Sequence, residues 1–203
     1  MSVAVGIFVF PDIEVLDFAG PYEVFTTAAR VAGCRNPAAE KPFAVFTVGK
    51  SATSFKARAG LTVVPDFSFG QHPAIDLLIV PGGVVTAELE KPTVIDWIAA
   101  TAAQARLTAA VCTGAFLLGR AGLLDGRQAT THWEDIADLR HDFPQIEVLA
   151  DRRWVDAGNV VTSGGISAGI DMSLHLVERL AGRDLALATA RQMEYRWEEP
   201  EEQ

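Results

Sequence analysis

Cysteine is scarce in this chain: two residues, Cys34 and Cys112, among 203. That excludes a disulfide scaffold. No Cys-x-x-Cys pair or Cys/His cluster at zinc spacing occurs, so no metal is expected. Positive charge is also in deficit. Lys and Arg total 17 against 26 Asp and Glu, a net charge of −9. Nucleic acid and anionic membranes both need clustered basic residues, so neither is an expected partner. Long apolar runs are lacking too. Met1–Phe10 has no basic n-region and is broken by Pro11-Asp12, so it reads as a buried strand, not a signal peptide. No uncharged run reaches the roughly 18 residues a membrane helix needs. These absences fit a cytoplasmic protein.

What is present is enough apolar material, 49% of residues, for one full core in a single domain over residues 1–203. Val3–Phe10, Phe43–Val48, Leu61–Val64, Ile75–Val80 and Leu107–Val111 read as strands, several of them apolar throughout. Pro21 suits the first turn of a helix, which then runs from Tyr22 to Val31. Gly33–Pro42, with Cys34, reads as a polar loop. Helices are expected over Pro92–Ala105, Gly114–Leu124, Trp133–His141, Ile166–Leu180 and Asp184–Met193. In the fourth, Ile170, Leu174, Val177 and Leu180 share an apolar face, and Asp171, Glu178 and Arg179 lie opposite. Short strands are expected at Gln128–Thr131, Val148–Leu149, Trp154–Val155 and Val160–Thr162. His72, His141 and His175 read as surface residues, and the acidic Glu198–Gln203 as a frayed tail.

Strands alternating with helices predict a mostly parallel sheet sandwiched by helices. Ligands of such sheets bind beyond the carboxyl ends of the strands. Asp17, Gly82-Gly83, Cys112, His132 and Gly164-Gly165 all follow an expected strand at that edge. Cys112 stands out, because Leu107–Val111 stops at it and a helix opens just after Thr113-Gly114. This is the sharp turn that exposes a nucleophile. The unpaired N–H groups of a helix start favour a thiolate, so a thiol pKa well below 8.5 is expected. Gly82, Gly83 and Thr113 could supply N–H groups for negative charge developing on a substrate. Asp17 suits either a helix cap or, if desolvated near a thiolate, a general acid with a raised pKa.

Leu16-Asp17-Phe-Ala-Gly-Pro21, Val80-Pro-Gly-Gly83, Val111-Cys-Thr-Gly114, Ala129-Thr-Thr-His-Trp133 and the stretch from Thr162 to Asp171 together resemble the ThiJ/PfpI superfamily. The resemblance covers roughly residues 3 to 195. It implies a flavodoxin-like, class I glutamine amidotransferase-like α/β fold, and it is strongest to the branch with isocyanide hydratases. It also implies that Asp17 meets the sulfur of Cys112, that His132 lies nearby as a candidate proton shuttle, and that the protein forms a homodimer. Trp133, Gly82, Gly165 and Ile166 become candidate walls of a small-molecule site. Certain AraC-type regulators share these patterns but add a helix-turn-helix region not found in this sequence, so direct DNA binding is not expected. PfpI-type proteases carry histidine just after the nucleophile; here Thr113 stands there. The expected function is cysteine-dependent hydration of a small electrophile, with a Cys112 thiolate, Asp17 as acid and base, and no cofactor. A ligand or oxidative-stress sensor and a peptidase or amidase are the alternatives.

Overall fold

The computed structural model describes residues 2–198. In chain order the elements are β1 (Val3–Phe8), α1 (Val15–Arg35), β2 (Phe43–Gly49), β3 (Phe55–Lys56), β4 (Thr62–Val63), β5 (Phe67–Ser68) and β6 (Leu77–Val80). There follow α2 (Thr86–Leu89), α3 (Pro92–Gln104), β7 (Leu107–Val111), α4 (Gly114–Arg120), β8 (Gln128–Ala129), α5 (Ile136–Asp142) and β9 (Glu147–Val148). The described chain closes with β10 (Trp154–Asp156), β11 (Val160–Ser163), α6 (Ala168–Ala181) and α7 (Arg183–Gln192).

Seven strands form one sheet in the order β10-β11-β7-β6-β1-β2-β5. Neighbours pair in parallel except β10, which runs antiparallel to β11. Val5, Ile7 and Phe8, and all of Leu77–Val80, are buried. Burial of successive residues, which point to opposite faces, requires both faces to be covered. One cover is α1, α6 and α7, packed on one another; the other is α2, α3 and α4. This is the flavodoxin-like α/β arrangement.

The sheet order sets the position of the site. From β1 the chain passes to β2 on one side, then returns to β6 on the other. A crevice opens beyond the carboxyl ends where the winding reverses. Asp17 follows β1 at this point, Gly82-Gly83 follows β6, and an isolated antiparallel bridge joins Ile13 to Gly83.

Several expectations need correction. The first helix starts at Val15, with Glu14 as its cap, so Asp17 and Pro21 both lie inside it. Pro21 has no N–H for the carbonyl four residues back, and packing on α6 and α7 holds the helix through it. The same helix extends to Arg35, which puts Cys34 on its last turn rather than in a loop. Thr62–Val63 pairs only with β3, in a hairpin outside the main sheet. The helix after Cys112 ends at Arg120, and the helix expected from Ile166 starts at Ala168. His72 and His175 are half-buried and bonded, to Trp97 and Asp156. Glu198 is also held, through its N–H; the remainder of the expected frayed tail lies outside the described residues.

Candidate active site

Cys112 follows β7 in the left-handed region, with φ 57°. A non-glycine residue there costs on the order of 1–3 kcal/mol and persists only when its surroundings hold it. They do. Its N–H reaches the carbonyl oxygens of Ser163 and Gly164 at 3.2 and 3.3 Å, and its own carbonyl accepts from Thr131 Oγ1 at 2.8 Å. The turn leaves the residue 7% exposed, within a cavity of about 240 Å³ whose wall includes Gly83, Thr113, His132, Asp135 and Ile166.

Asp17 faces this sulfur from the first turns of α1 and is fully buried. Its Oδ2 accepts from the Gly82 N–H at 3.1 Å, while Oδ1 has no hydrogen-bond partner. Burial pushes its pKa from 3.8 up to about 7, against the pull of the Cys112 thiol and the Gly82 N–H. Burial also pushes the Cys112 thiol up, to about 12, and the Asp17 charge adds to it; the Thr113 N–H opposes. The expected resting thiolate is therefore replaced by a thiol. Desolvation and a neighbouring carboxylate outweigh the start of the seven-residue helix α4. The two groups titrate as a pair, which loses its first proton near neutrality and keeps the second.

The glycine-rich turn after β6 also differs from expectation. The Gly82 N–H is engaged by Asp17, and the Gly83 N–H donates to Thr113 Oγ1 at 2.9 Å. Thr113 Oγ1 in turn donates to the Gly83 carbonyl at 2.9 Å. The Gly82 N–H thus holds Asp17 and the Gly83 N–H closes onto the Thr113 side chain, while the Thr113 N–H faces the Cys112 sulfur. Gly82 is required here by close approach. A Cβ on it would stand 2.6 Å from Thr113 N and 2.9 Å from Asp17 Oδ2.

The structure brings the remaining candidates to the same rim. His132 lines the cavity, but its Nδ1 accepts from the Glu134 N–H at 3.3 Å and lies 3.5 Å from Asp135 Oδ2. Its Cδ2 edge rests against Gly165, where a Cβ would collide with the ring. Ile166 is left-handed, with φ 54°, and lines both this cavity and a larger one of about 610 Å³. Trp133 belongs to the larger cavity alone and is 76% exposed.

Sequence reasoning missed Asp171. The helical period places it on a polar face, yet it is fully buried in the first turn of α6. It accepts from the Arg153 guanidinium, from Tyr195 Oη at 3.1 Å and from the Glu198 N–H at 3.0 Å. Its partners come from distant segments, so no local pattern announces them. Among the described residues no cluster of three or more side chains could hold a metal ion, and no helix is long and apolar enough to cross a membrane.

The chain is 38% identical to the isonitrile hydratase of Pseudomonas putida over 196 residues, covering 96% of this chain and 79% of that protein. It is 37% identical over 139 residues to the HTH-type transcriptional regulator GbdR of Pseudomonas aeruginosa, a match to 68% of this chain and only 38% of the regulator. Among solved structures, a ThiJ/PfpI family protein from Pseudomonas syringae superposes with a TM-score of 0.84 at 28% identity, over 98% of this chain and 78% of that one. The DJ-1/PfpI family pattern itself matches residues 3–179, a span that holds Asp17, Cys112 and every other residue placed at the rim above, and the chain belongs to that family.

Proposed function

We propose that the protein hydrates a small electrophile, most specifically an isocyanide, to an N-substituted formamide. Carrying most weight is the Asp17–Cys112 pair, a buried carboxylate with one free oxygen beside a strained, barely exposed thiol. The reactive form holds one proton between them. As sulfur attacks the isocyanide carbon, the thiol proton passes to Asp17, which delivers it to that carbon to give a thioimidate. Asp17, again a carboxylate, takes a proton from water as the water oxygen adds to the same carbon. Asp17 passes that proton to the nitrogen, and the tetrahedral adduct collapses to the formamide as its hydroxyl proton goes to the Cys112 sulfur it expels, which restores the starting pair. The cavity beside the sulfur, about 240 Å³, has room for a small ligand. The similarity to isonitrile hydratase supports the same reading.

The test is incubation with an alkyl isocyanide, following formamide appearance. The wild type should turn over, and Cys112→Ala and Asp17→Asn should not. A second reading, a ligand or oxidation sensor, is favoured by the similarity to GbdR. No turnover, together with selective peroxide oxidation of Cys112, would support that reading and remove the first.

A further inference from the structure

In the segment Ala129-Thr-Thr-His-Trp133 the histidine is the obvious chemical candidate, yet its Nδ1 is turned to Glu134 and Asp135. The residue before it bonds to the nucleophile. Thr131 is buried, and its Oγ1 donates to the carbonyl oxygen of Cys112 at 2.8 Å, across 19 positions of sequence. The Ala115 N–H reaches the same oxygen at 3.2 Å, and the carbonyl oxygens of Ser163 and Gly164 hold the Cys112 N–H. The Ala115, Ser163 and Gly164 supports are main chain; the Thr131 hydroxyl is a side chain, which substitution can remove. Thr130 fixes its neighbour in place. The Thr130 N–H donates to Thr162 Oγ1 on β11, and Thr130 Oγ1 donates to the Leu149 carbonyl, both at 2.8 Å. Thr130 and Thr162 are buried as well.

The carbonyl of Cys112 and the N–H of Thr113 belong to one planar trans peptide. They point to opposite sides of it, so a donor that pins the oxygen also aims the N–H. That N–H faces the Cys112 sulfur, where it opposes the rise of the thiol pKa. Left-handed Cys112 is strained, and its flanking peptides stay in place only where they are bonded.

We propose that Thr131 is a positioning residue of the active site: by holding the Cys112 carbonyl, its hydroxyl keeps the Thr113 N–H directed at the sulfur while negative charge comes and goes there. This role rests on the reading of Cys112 as the nucleophile. The Thr131 proton stays on its own oxygen throughout, and the effect passes through one peptide plane.

The test separates the hydroxyl from the methyl. Thr131→Val keeps the shape and removes the donor; Thr131→Ser keeps the donor and removes a methyl. Two readouts are taken on each. One is formamide production from an alkyl isocyanide. The other is alkylation of Cys112 by iodoacetamide, normalised by peptide mapping to the exposed Cys34 of the same chain. Thr131→Val should lose about tenfold in kcat with KM unchanged, and a similar factor in the Cys112:Cys34 ratio, the effect of one bond that matters as charge develops. Thr131→Ser should restore both. The rise of activity through about pH 7 should stay where it is, because Asp17 and the Gly82 N–H are untouched. A turn that is merely loosened would expose the thiol and raise the ratio instead. A Thr131→Val protein that behaves as the wild type or shows a raised ratio, or a Thr131→Ser protein as impaired as Thr131→Val, would overturn the proposal. The expected alkylation pattern without formamide from the wild type would remove the hydration reading and leave Thr131 in its role; formamide from both the wild type and Thr131→Val at equal rates would do the reverse. A Cys112 inert to both reagents would overturn both. Should Thr131→Val not fold, Thr131→Ala carries the same expectations, and the demand on Thr131→Ser is independent of either.

Discussion

Two aspartates of this protein are fully buried and have opposite surroundings. Asp171 accepts from a guanidinium, a phenol and a backbone N–H, so its charge is balanced. Asp17 has no cation: one short bond, from the Gly82 N–H, holds Oδ2, and the Cys112 thiol and the Ile166 N–H lend only partial support. Burial is common to both; the supply of partners separates structure from chemistry. A charge with full partners is a fixture whose removal strands the others. A carboxylate left short of partners in a dry site has its proton affinity raised to near neutral, the range a general acid–base group needs.

The largest effect should come from breaking the comparison at Asp17. Asp17→Asn keeps the shape and removes the proton carrier, so formamide production should fall by about a thousandfold or more, in line with losing a positioned acid–base group. Wild-type activity should rise with pH through about 7, as the pair loses its first proton, and Asp17→Asn should lack that limb. An isocyanide assay flat from pH 5 to 8 would remove Asp17 from the chemistry.

The same substitution should move stability the other way. The pKa of Asp17 is higher folded than unfolded, so its contribution is fully present below pH 3.8 and lost as pH rises through about 7. At about 1.36 kcal/mol per unit, the native state carries a penalty of up to roughly 4 kcal/mol at pH 8. Asp17→Asn should therefore melt above the wild type at pH 8, with the gap closing toward pH 4. A constant gap would mean that the carboxyl is ionised in the fold from the start.

Asp171→Ala should do the reverse, destabilising by about 3 kcal/mol because Arg153 and Tyr195 lose their acceptor. For a chain of this size the melting temperature should drop by roughly 6–12 °C. Thermal unfolding at pH 8 places the two variants on opposite sides of the wild type. If both fall, the distinction between the two carboxylates fails.

How far these roles could be read from the residues differs in the same way. The strands of the core sheet were legible because runs such as Leu77–Val80 are apolar on both faces, and the rim followed from where they end. The start of α1 was not legible. Pro21 carries a local signal for a helix start, and packing on α6 and α7 overrides it. Asp171 obeys the polar side of a helical period, yet α6 is buried on nearly every side. Its partners lie 18, 24 and 27 positions away. The state of the Cys112 proton depends on desolvation and on Asp17, and neither quantity is local in sequence.

The finest division of the comparison lies within the Asp171 cluster. Tyr195 Oη donates to Asp171 Oδ2 at 3.1 Å, and burial, then the Asp171 charge, push its pKa up to about 12. The bond is thus made by the neutral phenol at any ordinary pH. Tyr195→Phe removes this donor and leaves Arg153 and the Glu198 N–H in place. Asp171 then keeps most of its partners, and half-buried Tyr195 leaves room for water to replace the hydroxyl. The expected loss is about 1 kcal/mol, the net worth of one such bond, or roughly 2–4 °C in melting temperature. Between pH 5 and 9 the loss should not vary, in contrast to the pH-dependent gap at Asp17. A loss comparable to that of Asp171→Ala would mean that the phenol, not the guanidinium, is the partner on which this cluster depends.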